Sequence, residues 1–296
     1  MTYEKEIKIN KREIKLTNLD KVFYPKSNYT KGDIIQYYEK IADYMLPHVK
    51  NRLLVMHRYP EGINNEDFYQ KQIPDYFPSW IEHKTINLKK GEKQTLVVIR
   101  KKEDIVYLAN QGTLVFHVWL SPKNNINKPD KIIFDLDPPR EDAFKDVKFA
   151  ALKLKDIFEE HKLNPFVMTT GSKGLHVVVP IKPEHDFDVV RDFIKSIATK
   201  LVEKYPDKLT LEIRKEKRKD RVFLDYLRNA FGQTGVAPYS LREIEKAPIA
   251  TPLSWDELSL TKDSQKYNLK NIFRRLNKKG DSWENIYKKA KKLKLG

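Results

Sequence analysis

Apolar residues recur along this chain in two periods. Over Thr30–Met45, Ile34, Tyr37, Ile41 and Met45 keep helical spacing, and Thr30 with Asp33 suits a capping box, so the pattern predicts a helix. Ala143–His161, with Phe144, Val147, Ala151, Leu154 and Phe158 on one face, predicts a second, and Val189–Tyr205, built on Val190, Phe193, Ile197 and Leu201, a third. Shorter apolar runs bounded by polar breaks predict strands at Arg52–Arg58, Thr95–Ile99, Ile105–Leu108, Leu114–Leu120, Lys131–Asp137, Pro165–Thr170, Leu175–Pro180, Leu209–Arg214 and Arg221–Tyr226. From Ser254 the chain reads as mainly helical. Strands come in runs rather than in strict alternation with helices, which predicts an α+β fold. No repeat, low-complexity tract or clean linker divides the 296 residues.

Charge changes the picture. Lys and Arg number 57 against 41 Asp and Glu, a formal net charge of +16, which points to a polyanionic partner. Arg214–Arg221 reads RKEKRKDR, and Lys270–Gly296 holds ten basic and two acidic residues. Such clusters suit salt-sensitive phosphate contacts, or equally a solvated hairpin tip and a basic terminal helix. The absence of cysteine excludes disulfides, thiolate zinc sites and cysteine nucleophiles. No apolar run approaches a membrane span, and the first residues carry no apolar signal region, so a soluble intracellular protein is expected.

The sharpest local feature is Ile133-Phe134-Asp135-Leu136-Asp137-Pro138-Pro139. In a strand, Asp135 and Asp137 project to one face and Phe134 and Leu136 to the other. Two carboxylates about 7 Å apart repel, and a divalent ion with oxygen ligands, Mg²⁺ or Mn²⁺, resolves the repulsion. Asp225, the acid in Val222-Phe223-Leu224-Asp225-Tyr226, supplies a third carboxylate if its strand lies beside the first. Read alone, one Asp caps a turn and the other is solvated.

A second feature is Thr169-Thr170-Gly171-Ser172-Lys173-Gly174-Leu175-His176, between two apolar strands. Its glycines allow a tight turn whose backbone N–H groups face an anion, with Ser172, Lys173 and His176 adding donors. An ordinary hairpin turn looks the same in isolation. Arg52, Arg58, Arg221, Arg228 and Arg242 are candidate triphosphate partners, two or three of them functional and the others surface ion-pair residues. His117 stands among apolar neighbours and fits a core position or a site. Phe68-Tyr69-Gln70-Lys71 joins aromatics to a cation, which suits base stacking with a phosphate contact at Lys71.

The order of these pieces is more specific than any of them. The series LTNLDKVFYPKSNYTKGD, RYPEGI, FYQK, FHVWLS, FDLDPP, TTGSKGLHVVVP, VFLDYLRN and APYSLR resembles the polymerase domain of bacterial ligase D, in the archaeo-eukaryotic primase superfamily, from about Leu16 to about Ser259. The resemblance implies a single primase-like catalytic core over 1–296, with mixed or antiparallel sheets flanked by helices. Parts at about 1–125 and 126–250 would form one cleft, with a basic helical extension at 251–296. It implies a nucleotidyltransferase that adds ribo- or deoxyribonucleotides to the 3′-OH at DNA gaps and double-strand-break ends in non-homologous end joining.

In that light Asp135, Asp137 and Asp225 are the catalytic metal triad, holding two Mn²⁺ or Mg²⁺ ions. Ser172, Lys173, His176, Arg221 and Arg242 meet the triphosphate, with Arg52 among the nucleotide-binding candidates. His117 contacts the nucleotide and Thr170 senses the ribose 2′-OH. Lys21 and Lys31 read a downstream 5′-phosphate, and Phe68 and Tyr69 meet the template. The implied partners are gapped or broken DNA bearing a 5′-phosphate, NTP or dNTP, Ku and a DNA ligase, in a prokaryotic cytoplasm at the nucleoid. The chain departs from the pattern at His57, where relatives often carry a basic residue, and at the variable Arg228, and no K-x-D-G adenylation motif occurs in it. The rival readings are a replicative primase, which typically needs a zinc element, and a non-catalytic DNA-end or Ku-binding adaptor, which has no use for isolated acids in apolar strands.

Overall fold

The computed structural model describes residues 4–88 and 91–295; Gly296, the last residue of the basic C-terminal stretch, lies outside them. Backbone contacts divide the chain into two compact units, residues 1–119 with 236–248 and residues 120–235 with 249–296. No helix of the described residues is long and apolar enough to cross a membrane.

The first unit opens with a hairpin of β1 (Lys5–Ile9) and β2 (Arg12–Leu16) and a short ladder of β3 (Val22–Tyr24) and β4 (Tyr29–Thr30). Helix α1 (Lys31–Val49) follows. Its capping box forms as the sequence predicts: the Asp33 N–H donates to the Thr30 hydroxyl, and the Thr30 N–H donates to the Asp33 carboxylate at 2.8 Å. The helix runs past Met45 to Val49, with Pro47 inside its last turn.

Strands β5 (Arg52–Arg58), β6 (Phe68–Gln70), β7 (His83–Asn87), β8 (Lys93–Ile99) and β9 (Thr113–Pro122) build a sheet in the order β9–β5–β8–β7, with β6 paired on β5. The expected strand at Ile105–Leu108 is instead the core of helix α2 (Lys102–Asn110), packed on α1. The Asp104 carboxylate accepts from the Arg100 and Lys101 N–H groups at 2.7 and 2.9 Å and starts the helix. A four-residue apolar run does not by itself separate a buried helix from a buried strand.

The second unit contains β10 (Lys131–Asp137), α3 (Phe144–Glu160), β11 (Phe166–Thr169), β12 (Leu175–Pro180), α4 (Phe187–Lys204), β13 (Leu209–Thr210) and β14 (Val222–Asp225). Next, β15 (Thr234–Val236) joins the first sheet beside β9, and β16 (Thr251–Leu253), α5 (Trp255–Ser259) and α6 (Ile272–Lys279) complete the second unit. Its sheet runs β13–β14–β10–β12–β11–β16. Phe134 and Leu136 are fully buried on the face of β10 that α3 covers, and the Phe158 ring of α3 lies 5.9 Å from Phe134.

Two expectations are corrected here. Leu209–Arg214 and Arg221–Tyr226 do not flank a hairpin tip: β13 and β14 are parallel, with Leu209 opposite Val222. The basic run Arg214–Arg221 is the crossover between them, with one short 3₁₀ turn at Lys215–Lys217. The segment from Ser254 is mainly loop, holding α5, α6 and a 3₁₀ turn at Ile286–Lys289. Tertiary anchors fix it rather than helix periodicity, as where the Trp283 indole donates to the Val167 carbonyl at 3.1 Å.

Candidate active site

The central strand β10 sets the site. Its antiparallel register places Asp135 directly opposite Asp225 on β14 and His176 on β12. Residues directly opposite share a face, so Asp225, Asp135 and His176 form a row across three strands, with Asp137 two residues along on the same face. The three acids expected to meet are thereby brought together. Asp135 and Asp225 are each only 16% exposed. The Arg228 Nε lies 3.5 Å from one carboxylate oxygen of Asp135 and 3.4 Å from one of Asp225, so one guanidinium nitrogen reaches both acids. A second arginine, Arg218, places Nη1 3.6 Å from Asp137 and its guanidinium 4.0 Å over the Phe223 ring.

Burial pushes the Asp137 carboxyl above its ordinary range, the neighbouring Asp135 adds to the rise, and Arg218 opposes it. Burial likewise raises Asp225, against the Leu227 N–H that donates to it at 2.8 Å and the charge of Arg228. Among the described residues no three His, Asp or Glu side chains are gathered tightly enough to hold a metal as they stand. The donor set nevertheless suits a hard divalent cation: three carboxylates repelling one another on neighbouring strands, Asp135 and Asp225 largely shielded and Asp137 half exposed.

The rest of this row is built to stay put. Asn229, fully buried, donates to the Ile133 carbonyl at 2.6 Å and accepts from its N–H at 2.9 Å, continuing the ladder past the end of β14. The buried His176 holds Nε2 3.4 Å from Asp135, and its Nδ1 has no hydrogen-bond partner. A side chain at Gly235 would collide with Ile133 and touch the His176 ring.

The Gly171–Gly174 turn abuts this strand. A Cβ on Gly174 would lie 2.1 Å from the Leu136 carbonyl oxygen, so only glycine lets the turn approach so closely. The Thr170 hydroxyl is buried and committed to the turn: it accepts from the Ser172 and Gly174 N–H groups at 3.3 and 3.2 Å and reaches the Gly174 carbonyl. From behind, Ser264 donates to the Gly174 carbonyl at 2.7 Å and Gln265 to the Ser172 carbonyl at 3.1 Å. Lys173 reaches out to Glu141 at 2.8 Å. The Arg221 guanidinium is turned to the carbonyls of Arg218 and Lys217, so the arginine of this basic run that joins Arg228 beside the acids is Arg218, which sequence reasoning missed. Within a run of six basic residues nothing marked it out; its place opposite Phe223 is the signal.

The remaining candidates belong to the first unit. Lys21 and Lys31 line one pocket of about 220 Å³, with Arg58, Asn110 and Gly112. Lys31 donates to the Thr17 carbonyl and hydroxyl at 2.7 and 3.2 Å, and Lys21 to Glu61 and to the Pro60 carbonyl. Burial, with Lys21 and Arg58 nearby, lowers the Lys31 ammonium to about 8. Phe68 and Tyr69 are 44% and 58% exposed, and Lys71 follows them at the surface. Tyr69 stacks on His57 at 3.9 Å and lies 5.7 Å from the His117 ring. His57 in turn meets Asp67 at 2.6 Å. Arg242 is paired through two nitrogens with Glu243. Arg52 differs from expectation: it is 3% exposed and donates to the Trp119 carbonyl, a core position.

Residues 30–283 match the family described as LigD, primase-polymerase domain. The chain is 32% identical over 277 residues to the bifunctional non-homologous end joining protein LigD of Bacillus subtilis, covering 93% of this chain and 44% of that protein. It is 33% identical over 248 residues to the multifunctional non-homologous end joining protein LigD of Mycolicibacterium smegmatis, covering 83% and 32%. It thus spans less than half the length of these curated relatives. Among solved structures it is similar to the polymerase domain from Mycobacterium tuberculosis ligase D in complex with DNA, with a TM-score of 0.87 and 28% identity over 94% of this chain and 99% of that one.

Proposed function

Because the chain belongs to the LigD primase-polymerase domain family, we propose that it adds ribo- or deoxyribonucleotides to the 3′-OH at gaps and broken ends of DNA during non-homologous end joining. The observation that carries this reading is the register of β10, which sets Asp225 opposite Asp135 with Asp137 on the same face, beside a turn pressed onto the same strand. Neither a replicative primase nor a non-catalytic adaptor is favoured by the family assignment.

Asp135, Asp137 and Asp225 would hold the divalent ions, two of Mn²⁺ or Mg²⁺. Such ions, when bound, neutralise phosphate charge and lower the pKa of an attacking hydroxyl. The protein's own part is positioning and electrostatics. The Gly171 and Lys173 N–H groups of the turn, with the Ser172 and Lys173 side chains, receive the phosphates, while the Ser172 and Gly174 N–H groups stay on the Thr170 hydroxyl; His176 steadies Asp135 and offers a free ring nitrogen. Arg218 and Arg228, which stand beside the acids, would be placed to meet phosphate if the carboxylates held metal. Arg221, Arg242, Arg52 and His117 stand as further nucleotide contacts, to be tested one by one; for Arg221 and Arg52 this requires leaving backbone carbonyls. Ribose sensing by Thr170 requires its hydroxyl to leave the Gly174 carbonyl.

Lys21 and Lys31 hold a 5′-phosphate in their pocket, and Phe68, Tyr69 and Lys71 meet the template strand by stacking and charge. Ku and a DNA ligase are the expected protein partners, at the bacterial nucleoid. Primer extension on a gapped, 5′-phosphorylated duplex with Mn²⁺ and labelled nucleotides tests the reading. Incorporation by the wild type and none by Asp135→Ala is expected, and metal-independent or absent incorporation by the wild type would overturn it.

A further inference from the structure

Beyond β16 the second unit carries a pocket of about 250 Å³ lined by Lys266, Asn271 and four cations of α6: Arg274, Arg275, Lys278 and Lys279. The fold itself uses Arg275. That guanidinium is buried, pairs with Glu257 at 2.8 and 3.1 Å, and donates to the Pro252 and Gly280 carbonyls. Glu257 is buried too, and it also accepts from the Tyr267 hydroxyl. The acid at the floor of the pocket is therefore already engaged.

The other four cations have weaker internal demands on them. Lys279 stands 3.8 Å from Glu257, a distant partner that Arg275 already holds. Lys266 donates to neutral oxygens, the Leu260 carbonyl and the Thr261 hydroxyl. Arg274 and Lys278 are exposed and lie one helical turn apart on the same face of α6. Helix stability accounts for part of this: Lys278 and Lys279 fall in the last turn of α6, where the dipole favours cations. It does not account for Arg274, which falls in the first turn, where the dipole disfavours a cation, nor for Lys266, which lies outside the helix. A ligand of opposite charge is what such a concentration of like charge lacks.

The pocket is also joined to the site. Ser264 and Gln265 brace the Gly171–Gly174 turn through its carbonyls, and the next two residues, Lys266 and Tyr267, line the pocket.

We propose that this pocket is a second phosphate-binding site, which holds backbone phosphates of the bound DNA strand through Arg274, Lys278 and Lys266. The inference rests on the polymerase reading for the identity of its ligand. Two exposed cations a helical turn apart suit a chain of phosphodiesters better than one compact nucleotide.

The test is the salt dependence of binding to a labelled, gapped duplex, followed by fluorescence anisotropy. The Arg274→Ala/Lys278→Ala double variant removes two phosphate contacts and should flatten the slope of log K against log salt by about 1.8. A control, Lys195→Ala/Lys200→Ala, removes the same charge from the exposed side of α4 and should leave the slope unchanged. Primer extension should show a raised KM for DNA with kcat and the KM for nucleotide unaltered. Equal flattening in both double variants would overturn the inference, since net charge rather than a site would then be responsible. Weakened NTP binding with unchanged DNA binding would overturn it in favour of a free-nucleotide site. If the wild type itself does not bind the duplex, this inference falls together with the polymerase reading; if it binds and extends normally while the double variant keeps the wild-type slope, this inference falls alone.

Discussion

The acidic row of the second unit and the lysine pocket of the first are opposite solutions to one electrostatic problem. Each gathers like charges, partly out of water: Asp135, Asp137 and Asp225 in one, Lys21, Lys31 and Arg58 in the other. Each shows the cost, in carboxyls pushed up and an ammonium brought down to about 8. The difference lies in the counter-charge. The carboxylates borrow guanidiniums from Arg218 and Arg228, so the row is partly neutralised from within. In the lysine pocket Glu61 meets Lys21 at 2.6 Å, but Lys31 has a carbonyl and a hydroxyl of Thr17 as its acceptors, which leave its charge in place. A cation entering the acidic row would have to displace arginines, whereas an anion entering the lysine pocket would compete with Glu61 at Lys21 and relieve the penalty at Lys31.

The largest effect that sharpens this contrast is at the row itself. Replacing Asp135 or Asp225 by Ala should cost at least about 10³-fold in nucleotide addition, measured by single-turnover extension, while anisotropy shows DNA binding retained. Gly174→Ala comes next. The new methyl meets the Leu136 carbonyl and must push the turn away, so we expect a KM for nucleotide raised about tenfold or more and a loss of about 1–3 kcal/mol in stability by denaturant melts. A wild-type KM in this variant would show that the turn does not grip the nucleotide.

Arg228→Gln should tighten Mn²⁺ binding about tenfold in calorimetry, because a competing cation has been removed. An unchanged affinity would mean that the arginine does not compete for the row. The smallest effect is one of pH on Lys31. Phosphate favours the ammonium form, which is already present below pH 8. Above that value binding must take up a proton, so affinity for a 5′-phosphorylated end should fall as pH rises, by up to about tenfold per pH unit. A 5′-hydroxyl end should show no such fall, and Lys21→Ala should weaken only the phosphorylated end.

How much of this was legible in the sequence depends on the range of the forces involved. Local signals were reliable: the Thr30–Asp33 capping box, the limits of β5, β10 and β12, and the alternation that sets Asp135 and Asp137 against Phe134 and Leu136 all appear in the fold. The closeness of Asp225 was a conditional inference that only the β10–β14 register could satisfy. Ile105–Leu108 misled because a short apolar run has no period. The basic crossover misled because parallel and antiparallel neighbours look alike when the connection is short. Arg218, Arg228 and Asn229 owe their roles to what the sheet places across from them, information that no single segment carries.

The central claim is that Asp225, distant in sequence, shares a cation site with Asp135 and Asp137. Titrating Mn²⁺ into the wild type and into Asp225→Asn, with the free aquo ion followed by electron paramagnetic resonance, tests it directly. The account predicts saturable binding by the wild type that weakens at least about tenfold in the variant. Equal binding by both proteins, with the variant folded, would contradict it.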